Sequence, residues 1–319
     1  MNEFEIIEHF FKDAYPTSKG DLALGIGDDA AIINVPDDSE LVLSMDTLVA
    51  GVHFFETTAP EDIAFKSLAV NLSDIAAMGA SPCWISLALT LPDKDLDWIE
   101  KFASSFNTLA AEHSLVLIGG DLTKGPLSVT VQIHGINRKG KSLRRSGANP
   151  GDAIYVSGKL GAAAYAFKNI EDSILYPAAT EKEVQRLHRP DARIKTGIAL
   201  RDVATSCIDI SDGLIADLGH ILKASKVGAE LELSDIPYSD SLKNIDNELA
   251  IELALTGGDD YELCFTIPDG LPEAILEEFE SICPISRIGV INNKDALLVL
   301  KKKNKEIHDV TSLSYSHFV

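Results

Sequence analysis

One segment limits what this chain can fold into more than any other. Residues 61–78, EDIAFKSLAVNLSDIAAM, read as a helix opened by Pro60, Glu61 and Asp62 and followed by Gly79. Ala64, Phe65, Leu68, Ala69, Leu72, Ile75 and Ala76 make it apolar around most of its circumference. Such a helix has to lie in an interior, covered by other elements. Ser67, Asn71 and Asp74 nevertheless fall at i, i+4 and i+7, a polar stripe along one side. An acid on an interior helix needs a partner, because a buried unpaired charge is costly.

The flanking segments supply the layers that would cover it. Residues 41–46 read as a strand with Val42, Ser44 and Asp46 on one face. Residues 95–112 form a second, ordinary amphipathic helix, and Leu115–Ile118 a short strand ending at Gly119-Gly120-Asp121. Residues 127–136 alternate, with Leu127, Val129, Val131 and Ile133 opposite Ser128, Thr130, Gln132 and His134. A turn-rich connection, Arg138 through Asp152, separates this half from the next. The second half restarts with a strand at 153–157 and a helix from Ala162. A further helix near Ser211 and strands at 229–233, 261–267 and 296–301 follow. Strands alternating with helices give an α/β (α+β) fold in two lobes. We place the domains at 1–140 and 141–319, a division in keeping with a chain of 319 residues. Lys301-Lys302-Lys303 reads as a solvated hairpin end.

Charge narrows the partners. With 28 basic and 49 acidic residues the net charge is −21, which repels phosphodiester backbones and anionic lipid surfaces. Nucleic-acid and membrane roles are therefore not expected. No apolar run approaches the ~18 residues of a membrane span. The acidic start, Met1-Asn2-Glu3-Phe4-Glu5, is unlike a signal peptide. The four scattered cysteines, Cys83, Cys207, Cys264 and Cys283, form no CxxC pair. They fit reduced thiols and a cytoplasmic protein.

The acids themselves recur at strand ends and glycine turns. Asp28 and Asp29 follow Gly25-Ile26-Gly27, Asp46 ends a strand, and Asp74 sits on the apolar helix. Asp121 follows Gly119-Gly120, Asp209 and Asp212 flank Ser211, and Asp259-Asp260 follow Gly257-Gly258. Taken singly, most are ordinary: Gly-Asp turns are common and Ser211-Asp212 reads equally as a helix cap. His53, Arg144, Arg145 and Phe318 alone read as turn, loop and packing residues. Together the acids point to a hard divalent cation. Oxygen ligands with no nearby Cys or paired His favour Mg²⁺ over Zn²⁺. The glycines let backbone N–H groups approach phosphate oxygens. No Walker A loop, dinucleotide fingerprint or protein-kinase signature occurs, so any ATP site is of another design.

Several ordered motifs carry a family resemblance. They are GIGDDAA (25–31), SMDTLV (44–49), His53-Phe54, AVNLSDIAAMGA (69–80), IGGDLT (118–123), RSGA (145–148), DISDGL (209–214) and GGDDYEL (257–263). The chain resembles the thiamine-monophosphate kinase family, within the ATP-binding superfamily of aminoimidazole ribonucleotide synthetase. The resemblance implies transfer of the γ-phosphoryl of ATP to thiamine monophosphate by direct in-line attack. It implies an N-terminal lobe whose mixed sheet pairs into a barrel in a homodimer, and a C-terminal α/β lobe. It implies several Mg²⁺ ions on Asp29, Ser44, Met45 (through its backbone), Asp46, Asp74, Asp121, Asp209 and Asp212. ATP would meet Gly120, Asp121, Arg145 and Ser211, and thiamine phosphate would meet His53, Asp260 and Phe318. Asp46, Asp121, Asp209 and Arg145 would be the catalytic set. All the acids are expected to converge at one cleft. Position 259 is Asp where the family commonly has Glu, and position 45 is Met where it often has Thr. Readings outside this remain open: another ATP-dependent member of the superfamily acting on a different small acceptor, a metal-dependent phosphatase, or a non-catalytic divalent-cation-binding protein.

Overall fold

In the computed structural model, residues 1–15, 21–171, 179–294, 298–302 and 305–308 are described. The chain divides into two compact units, one of Met1–Ile75 with Ala80–Gly140, the other of Ala76–Gly79 with Lys141–Val319.

The first unit begins with a short helix α1 (Glu3–Ile6), continued by a π-helical turn over Ile7–Phe11. Two short strands follow, β1 (Leu22–Leu24) and β2 (Ile32–Ile33). Then come β3 (Ser39–Val49), α2 (Pro60–Ala77), β4 (Ser81–Leu91), α3 (Leu96–Glu112), β5 (Val116–Lys124) and β6 (Ser128–Arg138). Four of these strands form one sheet in the order β3-β6-β4-β5. β4 and β5 are parallel and joined through α3, a βαβ crossover; the other pairs are antiparallel. Val129, Val131 and Ile133 of β6 are fully buried, as the alternation requires. On β3, Val42, Ser44, Asp46 and Leu48 turn inward, while Leu43, Met45 and Thr47 are exposed.

α2 is interior on nearly all sides, with Ala64, Leu68, Leu72, Ile75 and Ala76 wholly buried. Its polar stripe is its attachment to β3. Asn71 Nδ2 donates to Ser67 O at 2.9 Å, and its Oδ1 accepts the Asp46 backbone N–H at 3.2 Å. Gly79, with φ +63°, ends the helix.

Two local readings change. β5 does not stop at Ile118 but runs on through Gly119-Gly120-Asp121 to Lys124, because β4 lies alongside to pair with it. Gly120 is required there by close approach: a Cβ on it would sit 1.9 Å from Leu87 O. The strand expected from residue 261 begins at Leu263, since Asp259 and Tyr261 adopt φ values of +67° and +50°.

The second unit contains β7 (Ala153–Ser157), α4 (Ala162–Glu171), α5 (Glu181–His188), α6 (Ile194–Leu200) and β8 (Ser206–Asp209). These are followed by α7 (Leu214–Ser225), β9 (Gly228–Glu232), α8 (Asn247–Thr256) and β10 (Leu263–Ile267). α9 (Glu273–Ile282), β11 (Ile285–Asn292), β12 (Leu298–Lys302) and β13 (Lys305–His308) complete it. Among the described residues its strands run β13-β12-β9-β11-β7-β10-β8. β12 and β13 form a hairpin in which Lys302 pairs with Lys305. Ile154, Val156, Ile210, Leu214, Leu218 and Ile221 centre its core.

A buried ion cluster fixes this sheet from one side. Glu262 is 0% exposed and receives Arg186 Nη2 at 2.7 Å, Arg193 Nη2 at 2.5 Å and Nε at 2.6 Å, and Ser157 Oγ at 2.6 Å. Removing the carboxylate would take from both guanidinium groups the buried charge they share, leaving Arg193 with the exposed Asp191 and Arg186 with the Asp260 carbonyl. Glu262→Ala is therefore expected to cost about 3–5 kcal/mol in denaturant unfolding of this unit, and a loss under about 1 kcal/mol would contradict that role.

Candidate active site

In the first unit the sheet and α2 bring Ser44, Asp46 and Asp74 together. Ser44 Oγ donates to Asp74 Oδ2. Burial, together with the Asp74 charge and a hydrogen bond with Asp74, pushes the Asp46 carboxyl up to about 6. Two carboxyl groups thus face each other beside a hydroxyl. Met45 points the other way, with its side chain 62% exposed. Only its backbone is on offer at this edge.

A second grouping lies at the far edge of the same sheet. Asp28, Asp29, Gly120 and Asp121 line one cavity of about 560 Å³. The Asp29 N–H donates to Asp28 Oδ1 at 2.9 Å, which shapes the glycine loop. β3 and β5 are opposite edges of the sheet, three strand spacings or about 14 Å apart. Asp46 and Asp121 therefore do not meet within one chain. Among the described residues, no three His, Cys, Asp or Glu side chains of the chain gather as a metal-holding cluster. His53 sits in the turn after β3, where its Nδ1 accepts the Val49 N–H at 3.0 Å. That bond sets the ring's orientation and leaves the Nδ1 position unprotonated.

In the second unit two turns interlock through their backbones. The Asp259 N–H donates to Ser211 O at 3.0 Å and Tyr261 N–H to Ile210 O at 2.8 Å. Gly213, with φ +112°, and Gly258 leave no room for a Cβ, which would strike Thr256 and Ser211 O respectively. This holds Asp209, Ser211 and Asp212 beside the Gly257-Gly258-Asp259-Asp260 turn.

Asp217, which the sequence did not single out, organises this loop. Its Oδ2 accepts the N–H groups of Ser211 at 2.9 Å and Asp212 at 3.0 Å. Burial pushes Asp217 up to about 7 against the pull of those bonds, and the charge of Arg145 also lowers it. Arg145 is thus close enough to act electrostatically on the Asp209–Asp212 loop. Its own loop is pinned where Gly147 and Ala148 N–H groups donate to Ser225 Oγ at 3.1 and 3.2 Å.

Asp260 turns inward. It is 2% exposed and accepts Gly161 N–H at 2.8 Å, and burial pushes it up to about 8. Phe318 lies outside the described residues. Asp217, the Glu262 cluster and the apolar wall around Asp28 carried no sequence signal beyond apolar spacing; their roles exist only once the loops are folded.

The chemistry of this arrangement is oxygen-rich and acidic, with one arginine near the second-unit loop, as phosphate-and-cation chemistry requires. The domain family described as AIR synthase related protein, N-terminal domain, matches residues 27–137, and its C-terminal domain matches residues 149–301. The chain is 50% identical over 270 residues to the thiamine-monophosphate kinase of Escherichia coli (strain K12), spanning 84% of this chain and 83% of that protein. It is similar to the crystal structure of thiamine-monophosphate kinase from Stenotrophomonas maltophilia K279a, with 42% identity, a TM-score of 0.86 and coverage of 94% and 97% of the two chains. A structure described as AaThiL complexed with AMPPCP and TMP matches with 29% identity and a TM-score of 0.75, over 91% and 92% of the two chains. The fold and its sites thus define an enzyme of the AIR synthase related class. Within that class the chain belongs to the thiamine-monophosphate kinase family.

The raised Asp46 carboxyl has a stability consequence. Its folded value, about 6, lies above the ordinary 3.8, so the folded state holds a proton that the unfolded state has released between those values. Without divalent cations, stability is expected to fall as pH rises from about 4 to about 6. Asp46→Asn should lose that component of the fall and be more stable than the parent above about pH 6. Thermal melts in chelator across this range check it; identical profiles for the two proteins would contradict it.

Proposed function

We propose that this chain transfers the γ-phosphoryl group of ATP directly to the phosphate of thiamine monophosphate, giving thiamine diphosphate and ADP. The observation that carries this reading is the relative solved with AMPPCP and TMP, whose fold this chain shares over 91% of its length. An acceptor-phosphate oxygen bonds to the γ-phosphorus as the bond from that phosphorus to the β-phosphate bridging oxygen breaks. The acceptor is already an anion, so no strong general base is needed. The difficulty is bringing two polyanions together.

The residues present fit Mg²⁺. Their donors are all oxygen, and carboxylates come in pairs, which suits an ion usually held by one or two carboxylates plus substrate phosphates. We assign Asp29, Ser44, the Met45 carbonyl, Asp46, Asp74, Asp121, Asp209 and Asp212 to several such ions. Bound Mg²⁺ offsets a repulsion of about 4 kcal/mol per unit charge pair at 4 Å and an effective dielectric near 20. Gly120, Asp121, Arg145 and Ser211 are assigned to ATP, with Arg145 neutralising phosphate charge. His53, Asp260 and Phe318 are assigned to thiamine phosphate, Asp260 through the turn that its buried carboxyl fixes. Asp46, Asp121, Asp209 and Arg145 form the proposed catalytic set. The unbridged thiols of all four cysteines suit a cytoplasmic setting.

The active form in this reading is a homodimer. Leu43 and Met45, 53% and 62% exposed on the sheet's open face, need a cover. Joining two such sheets into a barrel covers them and sets β3 of one protomer beside β5 of the other. Asp46 and the partner's Asp121 then flank one seam.

The test is incubation with Mg-ATP and thiamine monophosphate, with chromatography for thiamine diphosphate. Asp46→Asn and Asp121→Asn should each lower turnover by at least about 100-fold without unfolding the protein. Mixing the two inactive variants under subunit exchange should restore about a quarter of parental activity, since each heterodimer regains one intact seam. Activity retained by both variants would overturn the metal assignment, and a mixture that stays inactive despite exchange would overturn the shared seam.

A further inference from the structure

The loop that enters α7 has the backbone of a phosphate cradle, yet its donors are already taken. Successive N–H groups that converge on one point form an anion-binding nest. The N–H groups of Ser211 and Asp212 converge in this way, at 2.9 and 3.0 Å, on a single oxygen. That oxygen is Asp217 Oδ2, so a carboxylate of the chain itself fills the place where a nest ordinarily receives a ligand's oxygen.

Asp217 is held firmly there. It stands in the first turn of α7, and its backbone N–H donates to Gly213 O at 3.0 Å. Leu214, Ile215 and Leu218 beside it are buried, and Asp217 itself is 3% exposed. A carboxylate so far from water is costly unless its surroundings stabilise it. Two N–H bonds and the charge of Arg145 do so. A serine or asparagine oxygen could accept bonds from the same kind of donor without burying a charge. Closing the loop therefore does not by itself call for an acid.

The charge acts on both sides. Asp212 and Asp217 are close enough for their carboxylates to oppose each other, and Arg145 is close enough to attract Asp217. Asp217 thus adds negative charge beside an assigned cation ligand and draws on the field of the arginine assigned to ATP. A phosphate chain without cations meets occupied donors, a partly offset arginine and an extra carboxylate. A phosphate chain that carries its cations brings the positive charge that Asp209 and Asp212 take up.

We propose that Asp217 determines which form of nucleotide this loop accepts, turning away metal-free ATP and admitting the cation-loaded form. Asp217 is a positioning residue: it acts through the Ser211–Asp212 backbone and through Arg145, not by touching substrate. The inference rests on the kinase reading above and adds to it the form of nucleotide that the site selects.

Two variants test it. Asp217→Asn keeps the shape and an acceptor oxygen but removes the charge, whereas Asp217→Ala also frees the two N–H groups. AMPPCP is titrated calorimetrically into each protein with excess Mg²⁺ and again in chelator, with thermal melts to confirm folding. The titrations are run near pH 8, above the value of about 7 to which burial raises Asp217. The parent should bind AMPPCP far more weakly in chelator. Asp217→Asn should bind metal-free AMPPCP at least about fivefold more tightly than the parent, and Asp217→Ala more tightly still. Loss of a merely structural contact loosens the loop and weakens binding in both conditions, so the gain in chelator is the distinguishing sign. Metal-free affinity unchanged or lowered in folded Asp217→Asn would overturn the proposal, as would a parent that binds equally well with and without Mg²⁺. A parent that makes no thiamine diphosphate, alongside the same gain in Asp217→Asn, would overturn the kinase reading and still support the selection by Asp217.

Discussion

The packing of α2 into the first unit leaves Asp74 facing Asp46 across a hydroxyl, and much of the chemistry follows from that placement. A helix that is interior on nearly all sides holds Asp74 half-buried beside β3. Ser67, Asn71 and Asp74 form one stripe, and Asn71 ties the stripe to β3 through the Asp46 backbone. The fold thus spends packing energy to hold two carboxyl groups together, which is unfavourable in the absence of a cation and favourable in its presence.

The second unit reaches a similar end by other means. Its acids stand on turns, and the turns are fixed by backbone bonds, by glycines without room for a Cβ, and by Asp217 gripping two successive N–H groups. Glu262, two residues beyond Asp260, anchors the strand that follows with two arginines. Loop residues are positioned by a rigid base rather than by their own conformational preference. Asp259 and Tyr261, at positive φ, carry local strain at this turn.

Much of this was legible in the letters, and the exceptions have physical causes. α2, α3, β6 and β7 announced themselves through clean periodicity. β4 did not, because it is a central strand whose register shifts near Pro82 and again near Ile85, so Trp84 and Ile85 are both buried and alternation breaks. Without β4 in view, Gly119-Gly120 reads as a strand end: the residue that demands a glycine, Leu87, lies on that strand. Acid identities at the site were readable, but their directions were not. Asp260 looked like an acid at a pocket and is instead a buried acceptor for Gly161. Convergence of all the acids was also an overstatement for a single chain, since Asp46 and Asp121 occupy opposite edges of one sheet.

The central claim is that facing carboxyl groups in the first unit exist to take up a divalent cation. Calorimetric titration of Mg²⁺ into the substrate-free protein near pH 6, repeated in buffers of different ionisation enthalpy, counts the protons released on binding. The account predicts a measurable release from the parental protein and a clear loss of it in Asp46→Asn, because the cation displaces the proton that burial and Asp74 retain on Asp46. Binding with no proton release, or equal release from both proteins, would contradict it.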